Sequence, residues 1–410
     1  MTLTIERLGH RGDGVVGGVF VARALPGEVV EGEVEAGRIA RPRILTPSPD
    51  RVAAPCRHYR ACGGCALQHA SDTFVAGWKQ EVVAAALSAQ GLSAPFRPIH
   101  VSPASSRRRA TLAGRRLKSG ALVGFHARGS DTVTAIPGCL LLAPPLIAAL
   151  PALEALVEAG TSRRGEMALT VTALGQGVDV AATGGRPLDA GLRIVLPQIA
   201  ARHRLARLTW DGETLYQPAP PTLAMGRARV APPPGAFLQA TEEGEAALVA
   251  AVTGALAGAR RIADLFAGCG TFALPLAERA EVHAVEGDGA MLAALDAGWR
   301  GAAGLKRITT EARDLFRRPL LPDELARFDA LVIDPPRAGA EAQMHQIARA
   351  ADGPAVIAAV SCNPVTFARD ARVLATAGWR LDWVQVVDQF RWSAHVELAA
   401  RLSRGHMARG

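Results

Sequence analysis

With 410 residues, 49% hydrophobic and 20% charged, the chain is long enough for two or three domains with real cores, which excludes a disordered or fibrous protein. A formal charge of +8 suits a polyanionic partner without requiring one. Only Lys79, Lys118 and Lys306 of the 46 basic residues are lysine, an arginine bias that by itself argues for no function.

The opening segment "MTLTIERLGHRGDG" turns polar almost at once, so no secretory signal is expected there. Residues 1 to 54 carry short β-branched runs punctuated by Gly and Pro, the pattern of a small all-β unit. A cysteine cluster follows, and then "SDTFVAGWKQEVVAAALSAQG", whose Ser/Asp cap, helical apolar spacing and terminal Gly predict a helix. The most apolar run, "CLLLAPPLIAALPALEALVEAG", is broken by three prolines and two glutamates before it could cross a bilayer. A cytoplasmic protein without membrane contact is expected, and six cysteines there point to metal ligation or catalysis rather than disulfides.

From about 100 to 235 the pattern predicts short strands alternating with loops, ending at the break "APPPG". Beyond it, "RIADLF", "EVHAVE", "FDALVID", "PAVIAAVS" and "HVELAARL" alternate with helical segments, so residues 236 to 410 should form one doubly wound unit on a parallel sheet. Its first strand-to-helix turn, "DLFAGCGTF", carries Gly268 and Gly270, which let the backbone approach a ligand. Glu286 ends the next strand, where a carboxylate can accept from ribose hydroxyls. "GCGTFA" lacks the third glycine of a dinucleotide fingerprint, which favours S-adenosylmethionine over NAD. Asp334 in "VIDPPR" falls at the same expected edge, and Asp314 either reaches a base amino group there or caps a helix.

Cys56, Cys62 and Cys65 stand in "CRHYRACGGC", with Cys139 available as a fourth thiolate. Such density reads as a metal site, zinc and [4Fe-4S] both being compatible; His58 and His69 read as ordinary polar neighbours. In "SCNPVTFARD", Asn363 is a good N-cap and Pro364 suits the first helical turn, so Cys362 sits at the positive end of a helix, which should lower its pKa. A thiolate beside a methyl donor suggests addition to C6 of a pyrimidine, methylation at C5, and a base to remove the C5 proton. Glu397 is the candidate base and His395 its rival.

The ordered series "GHRGDGV", "ALPGE", "CRHYRACGGCALQH", "GAFLQATEEGE", "DLFAGCGTFALPLA", "VIDPPRAG", "VSCNPVTFARD" and "DQFRWSAHVEL" resembles the TRAM-containing RNA uracil-5 methyltransferases, closest to their 23S rRNA branch. The resemblance implies an α/β protein of three parts. These are a TRAM-like, OB-type β-barrel over 1–54, a central α+β domain with a [4Fe-4S] cluster over 55–235, and an S-adenosylmethionine-dependent domain over 236–410. A helix within about 73–100 would dock on the last. Cys56, Cys62, Cys65 and Cys139 would hold the cluster; Gln239, Phe266, Glu286, Asp334 and Asp314 the cofactor; Cys362 would be nucleophile and Glu397 base. The expected partner is RNA, ribosomal rather than transfer RNA, and the protein a monomer. Arg391 and Ser393 stand where the family has Pro and Thr, and Thr271 where it often has Asn. Cytosine-5 methylation, or RNA binding on a decayed methyltransferase scaffold, are the alternatives.

Overall fold

A computed structural model describes residues 1–404; the last six residues of the expected 236–410 unit lie outside the described part. The N-terminal segment is β-rich, as its Gly- and Pro-punctuated runs require. Val29–Glu31 pairs antiparallel with both Thr2–Thr4 and Arg43–Thr46, and a second sheet joins Arg7–Leu8, Gly14–Val16, Val19–Val21 and Arg38–Ile39. The buried residues Ile5, Val21, Ala24, Val30 and Ile39 form their common core.

A seven-stranded sheet follows, in the order Val133–Ala135, Ala121–His126, Arg109–Arg116, Met167–Leu174, Gly177–Thr183, Arg207–Trp210, Glu213–Tyr216. Leu153, Leu156, Leu196 and Trp210 pack with the inward residues of these strands. The expectation of strands and loops alone fails here, because Leu150–Gly160 and Ala190–Arg202 are helices. Pro144 and Pro151 occupy first turns, where their missing N–H groups cost nothing. The same prolines that break a membrane span therefore start helices.

The C-terminal sheet has eight strands, ordered Ile308–Ala312, Glu281–Glu286, Arg261–Leu265, Ala330–Ile333, Val356–Ser361, Leu398–Arg404, Trp379–Asp388, His100–Val101. Its first five strands are parallel, and the central Ala330–Ile333 is buried and apolar on both faces, since helices cover each side, whereas the edge strand Ile308–Ala312 carries Thr309, Thr310 and Glu311. Along Ala330–Ile333, Ala330 and Val332 face the layer holding Leu248, Leu274 and Leu295, while Leu331 and Ile333 face that of Met344, Ile347 and Phe367. The expected wholly parallel sheet is corrected at one edge, where Leu398–Arg404 runs antiparallel to both neighbours. Only a short excursion links Trp379–Asp388 to it, too short for a crossover helix.

The helix Asp72–Ala89, capped by Ser71, buries Val83 and Leu87 in the second of those layers. Lys79 on the same helix is fully buried, its Nζ 2.6 Å from Asp388 Oδ1 and 3.1 Å from the Phe390 carbonyl. Among the described residues no helix is long and apolar enough to cross a membrane.

Candidate active site

Parallel strands deliver their carboxyl ends to one edge, and there a cleft of about 640 Å3 opens, within the range of small-molecule sites. Gln239, Phe266, Glu286, Asp334, Cys362 and Glu397 all line it. Phe266 has φ of 62°, a left-handed backbone rarely adopted by a bulky residue, and strain of this kind concentrates at functional edges. Its ring packs on that of Phe316, 5.4 Å away. Gly268, at φ 56°, donates its N–H to Glu286 Oε2 at 3.0 Å, and the Asp288 N–H donates to Oε1 at 3.0 Å. The Gly turn thus orients the carboxylate, and each oxygen keeps a lone pair for a ligand hydroxyl. Asp314 does not line the cleft; its Oδ1 accepts from the N–H groups of Phe316 and Arg317, so it closes a turn and not the helix that is the alternative to ligand contact.

Cys362 follows Val356–Ser361 and precedes Asn363, whose side chain caps the helix Pro364–Thr376. The helix end is where the sequence places it, yet the expected low pKa is corrected. Burial, then Glu397 and Asp334, push the thiol up to about 11, against Arg337. The helix terminus supplies partial charge, whereas two carboxyl groups and lost hydration act together in the opposite sense. Burial pushes Asp334 up to about 7 although its side chain keeps some exposure, and burial with the neighbouring Asp334 raises Glu397 well above the usual carboxylate range. On the strand Arg261–Leu265, Asp264 is fully buried, and burial, then Asp334 and Glu286, raise it well above the usual carboxylate range against the Ala273 backbone N–H. His395, an exposed residue, is pushed down by desolvation and by Arg337, Arg107 and Lys79.

Sequence reasoning missed Gln389. Its Nε2 donates to Gln239 Oε1 at 2.5 Å and reaches Glu397 Oε2 at 3.4 Å, while its Oε1 accepts the Ala240 N–H at 2.7 Å. One buried amide therefore links a cleft-lining glutamine to the candidate base, and no local pattern marks it. The loop from Asp388 to Glu397 is fixed from outside. Lys79 holds Asp388, Arg391 pairs with Asp72, and the Trp392 carbonyl accepts the N–H groups of Ala66 and Leu67 at 2.7 and 3.0 Å. Ser393 Oγ accepts the His395 N–H at 3.2 Å. The "RWS" stretch is thus a built contact between the cysteine-rich loop and the cleft edge.

Cys56, Cys62, Cys65 and Cys139 are all unbridged and line one small pocket. Gly63 presses on the strand Ala121–His126, where a Cβ would lie 2.5 Å from the His126 carbonyl oxygen, so the Gly-Gly turn is set by packing. Backbone N–H groups of Gly64 and Leu141 donate to the sulfurs of Cys62 and Cys139 at 3.3 and 3.4 Å. Burial pushes Cys65 up to about 12 and raises Cys62. Among the described residues, no three His, Cys, Asp or Glu side chains form a group able to hold a single metal ion. His69 bonds the Tyr59 hydroxyl at 2.6 Å and His58 the Pro137 carbonyl at 3.0 Å, so both have partners away from the sulfurs.

Residues 302–405 match the family model described as tRNA (Uracil-5-)-methyltransferase. An uncharacterised RNA methyltransferase of Mesorhizobium japonicum is 46% identical over 99% of this chain and 99% of its own. A 23S rRNA (uracil(1939)-C(5))-methyltransferase of Chromohalobacter salexigens is 35% identical over 98% of this chain and 89% of its own. Among solved structures, the tRNA (uracil-54, C5)-methyltransferase of Pyrococcus abyssi in complex with S-adenosyl-L-homocysteine superposes with a TM-score of 0.77 at 22% identity, covering 98% and 99% of the two chains. At that identity the likeness is one of fold.

Proposed function

Since the chain belongs to the S-adenosylmethionine-dependent RNA uracil-5 methyltransferases, we propose that it methylates a uridine of 23S rRNA through a covalent bond between Cys362 and C6 of the base. The ribosomal target is inferred from the 35% identical relative. The observation that carries the mechanism is the convergence of Cys362, Asp334, Glu397 and Glu286 on one cleft.

S-adenosylmethionine, when bound, supplies an electrophilic methyl group. Glu286 would accept its ribose hydroxyls, with Gln239, Phe266 and Asp334 the other contacts; the strained Phe266 backbone and the oriented Glu286 carboxylate suit a nucleoside. Cys362 Sγ adds to C6, and the displaced π-electron pair makes C5 nucleophilic toward the methyl group. The thiol proton needs an acceptor other than Glu397, which must stay free for the C5 proton, and Asp334, whose proton affinity burial raises, faces the thiol. Glu397 then takes the C5 proton, the C5–C6 double bond re-forms, and Sγ leaves as thiolate. Gln389, bonded to Glu397, is placed to hold that carboxyl toward the base.

Cys362→Ala should abolish methylation and the covalent complex with 5-fluorouridine RNA, whose C5 fluorine cannot leave as a proton. Retained turnover would sink the mechanism. Glu397→Gln should transfer the methyl group yet trap the RNA adduct, whereas rapid product release with a dead His395→Ala would move the base to His395.

The four pocket cysteines are assigned a [4Fe-4S] cluster within a central 55–235 domain, between a TRAM-like barrel over 1–54 and a catalytic domain over 236–410. Four unbridged thiols lining one pocket, with two N–H donors to sulfur, suit four thiolate ligands of a cluster. The helix Asp72–Ala89, packed by Val83 and Leu87 on catalytic strands, supports its docking there. Anaerobic purification should yield iron and acid-labile sulfide; stoichiometric zinc with neither would refute the assignment.

A further inference from the structure

At the opposite edge of the catalytic sheet the strands begin rather than end, and basic residues gather there. The ladder sets Arg261 beside Glu281, the Glu281 N–H donates to the Arg260 carbonyl, and the Val282 N–H to that of Arg307. The Lys306 N–H reaches the Ala277 carbonyl, which draws the turn carrying Arg279 alongside. Arg260, Arg261, Arg279, Lys306, Arg307 and Arg327 are all exposed and line two adjoining open clefts. Two carboxylates share those clefts, Glu281 and Asp329, and among the described residues Arg261 alone of the six cations has an ion pair, at 3.5 Å from Asp329.

Six cations to two acids is a local excess far above the 46 to 38 of the whole chain. Such crowding is unfavourable in the free protein and is relieved by a polyanion, which also releases its counterions on binding. The cleft has an aromatic wall as well. The rings of His283 and Phe328 stack at 5.7 Å and 14°, with Arg327 5.9 Å from Phe328. A sugar or base can rest on such a surface while guanidinium groups hold the flanking phosphates. Five-residue strands separate this edge from the methyl-transfer cleft by roughly 17 Å, so a small hairpin filling that cleft would not reach it.

We propose that the strand-start edge is a second RNA-contact surface, holding the phosphate backbone of the folded substrate outside the target loop. The proposal rests on RNA methylation as the activity and adds where a large substrate is gripped.

Arg260→Glu, Arg279→Glu and Lys306→Glu are made together in the full-length protein, since among the described residues none of these side chains takes part in an ion pair or lines the catalytic cleft. Two RNAs are compared: a short hairpin with the target uridine, and a long folded ribosomal RNA fragment containing it. At about 0.9 per phosphate contact, three lost contacts should lower the salt slope for the long RNA by about 2.7, so that between 50 and 200 mM salt the wild type loses roughly 40-fold more affinity than the variant. Hairpin kcat/KM should stay within about 2-fold. An unchanged slope with the long RNA overturns the proposal, and so does an equal loss on the hairpin. The neutral set Arg260→Gln, Arg279→Gln and Lys306→Gln, which adds no repulsion, should reproduce most of the drop in slope; failure to do so also overturns it. Binding is read separately from turnover. A wild type that grips the long RNA through these residues and methylates nothing would sink the catalytic reading and leave this surface standing.

Discussion

Alkylation of Cys362 with iodoacetamide, followed against pH, separates two opposed forces on one thiol. The helix Pro364–Thr376 presents its positive end and lowers the pKa; burial, Glu397 and Asp334 raise it, and the sum stands at about 11. At pH 7.5 that leaves roughly one thiol in three thousand ionised, against about one in ten for an unperturbed cysteine. Because the thiolate is the reacting form, the RNA-free protein should alkylate at Cys362 roughly 300-fold more slowly than free cysteine at that pH. Mass spectrometry of the Cys362 peptide from quenched time points gives the rate without interference from the other five cysteines. Glu397→Gln removes a facing carboxyl and should shift the profile to lower pH. A half-titration at or below about 8.5 would mean that the helix end prevails, refuting the burial argument.

Lys79→Met leaves Asp388 buried without its cation and should cost about 3–5 kcal/mol, read as a lower denaturation midpoint. Equal stability would show that the pair is not what holds the 388–397 loop. Gln389→Ala cuts the link between Gln239 and Glu397 and should slow methyl transfer about 10- to 100-fold, with S-adenosylmethionine affinity measured by calorimetry little changed; unchanged kcat would deny it a positioning role. Asp334 has a folded pKa of about 7, above its ordinary 3.8, so its contribution to stability is full below pH 3.8 and is lost as pH rises through 7. Asp334→Asn should therefore raise Tm more at pH 8 than at pH 5, and an equal or reversed pair of shifts would contradict that sign.

Strand ends were legible because parallel strands buried on both faces must be apolar throughout, so the polar residue that breaks each run marks the edge. Glu286, Asp334 and Cys362 were found that way, and the N-cap of Asn363 came from side-chain type and position alone. Local chemistry likewise announced the Gly turn at Gly268, the cysteine cluster and the Ser71 cap. Three features depended on residues distant in sequence. Gln389 matters because Gln239, 150 positions earlier, folds against it. Lys79 is buried because Asp388 meets it across 309 positions. The Cys362 pKa is set by desolvation and by carboxyl groups brought from other strands, which no reading of "SCNP" contains. The amino-acid sequence by itself determined that Glu286, Asp334 and Cys362 stand at strand ends, since periodicity and capping act over a few residues. Only the tertiary structure decided their protonation and their partners, because hydration and charge act through space and depend on what the rest of the chain puts alongside.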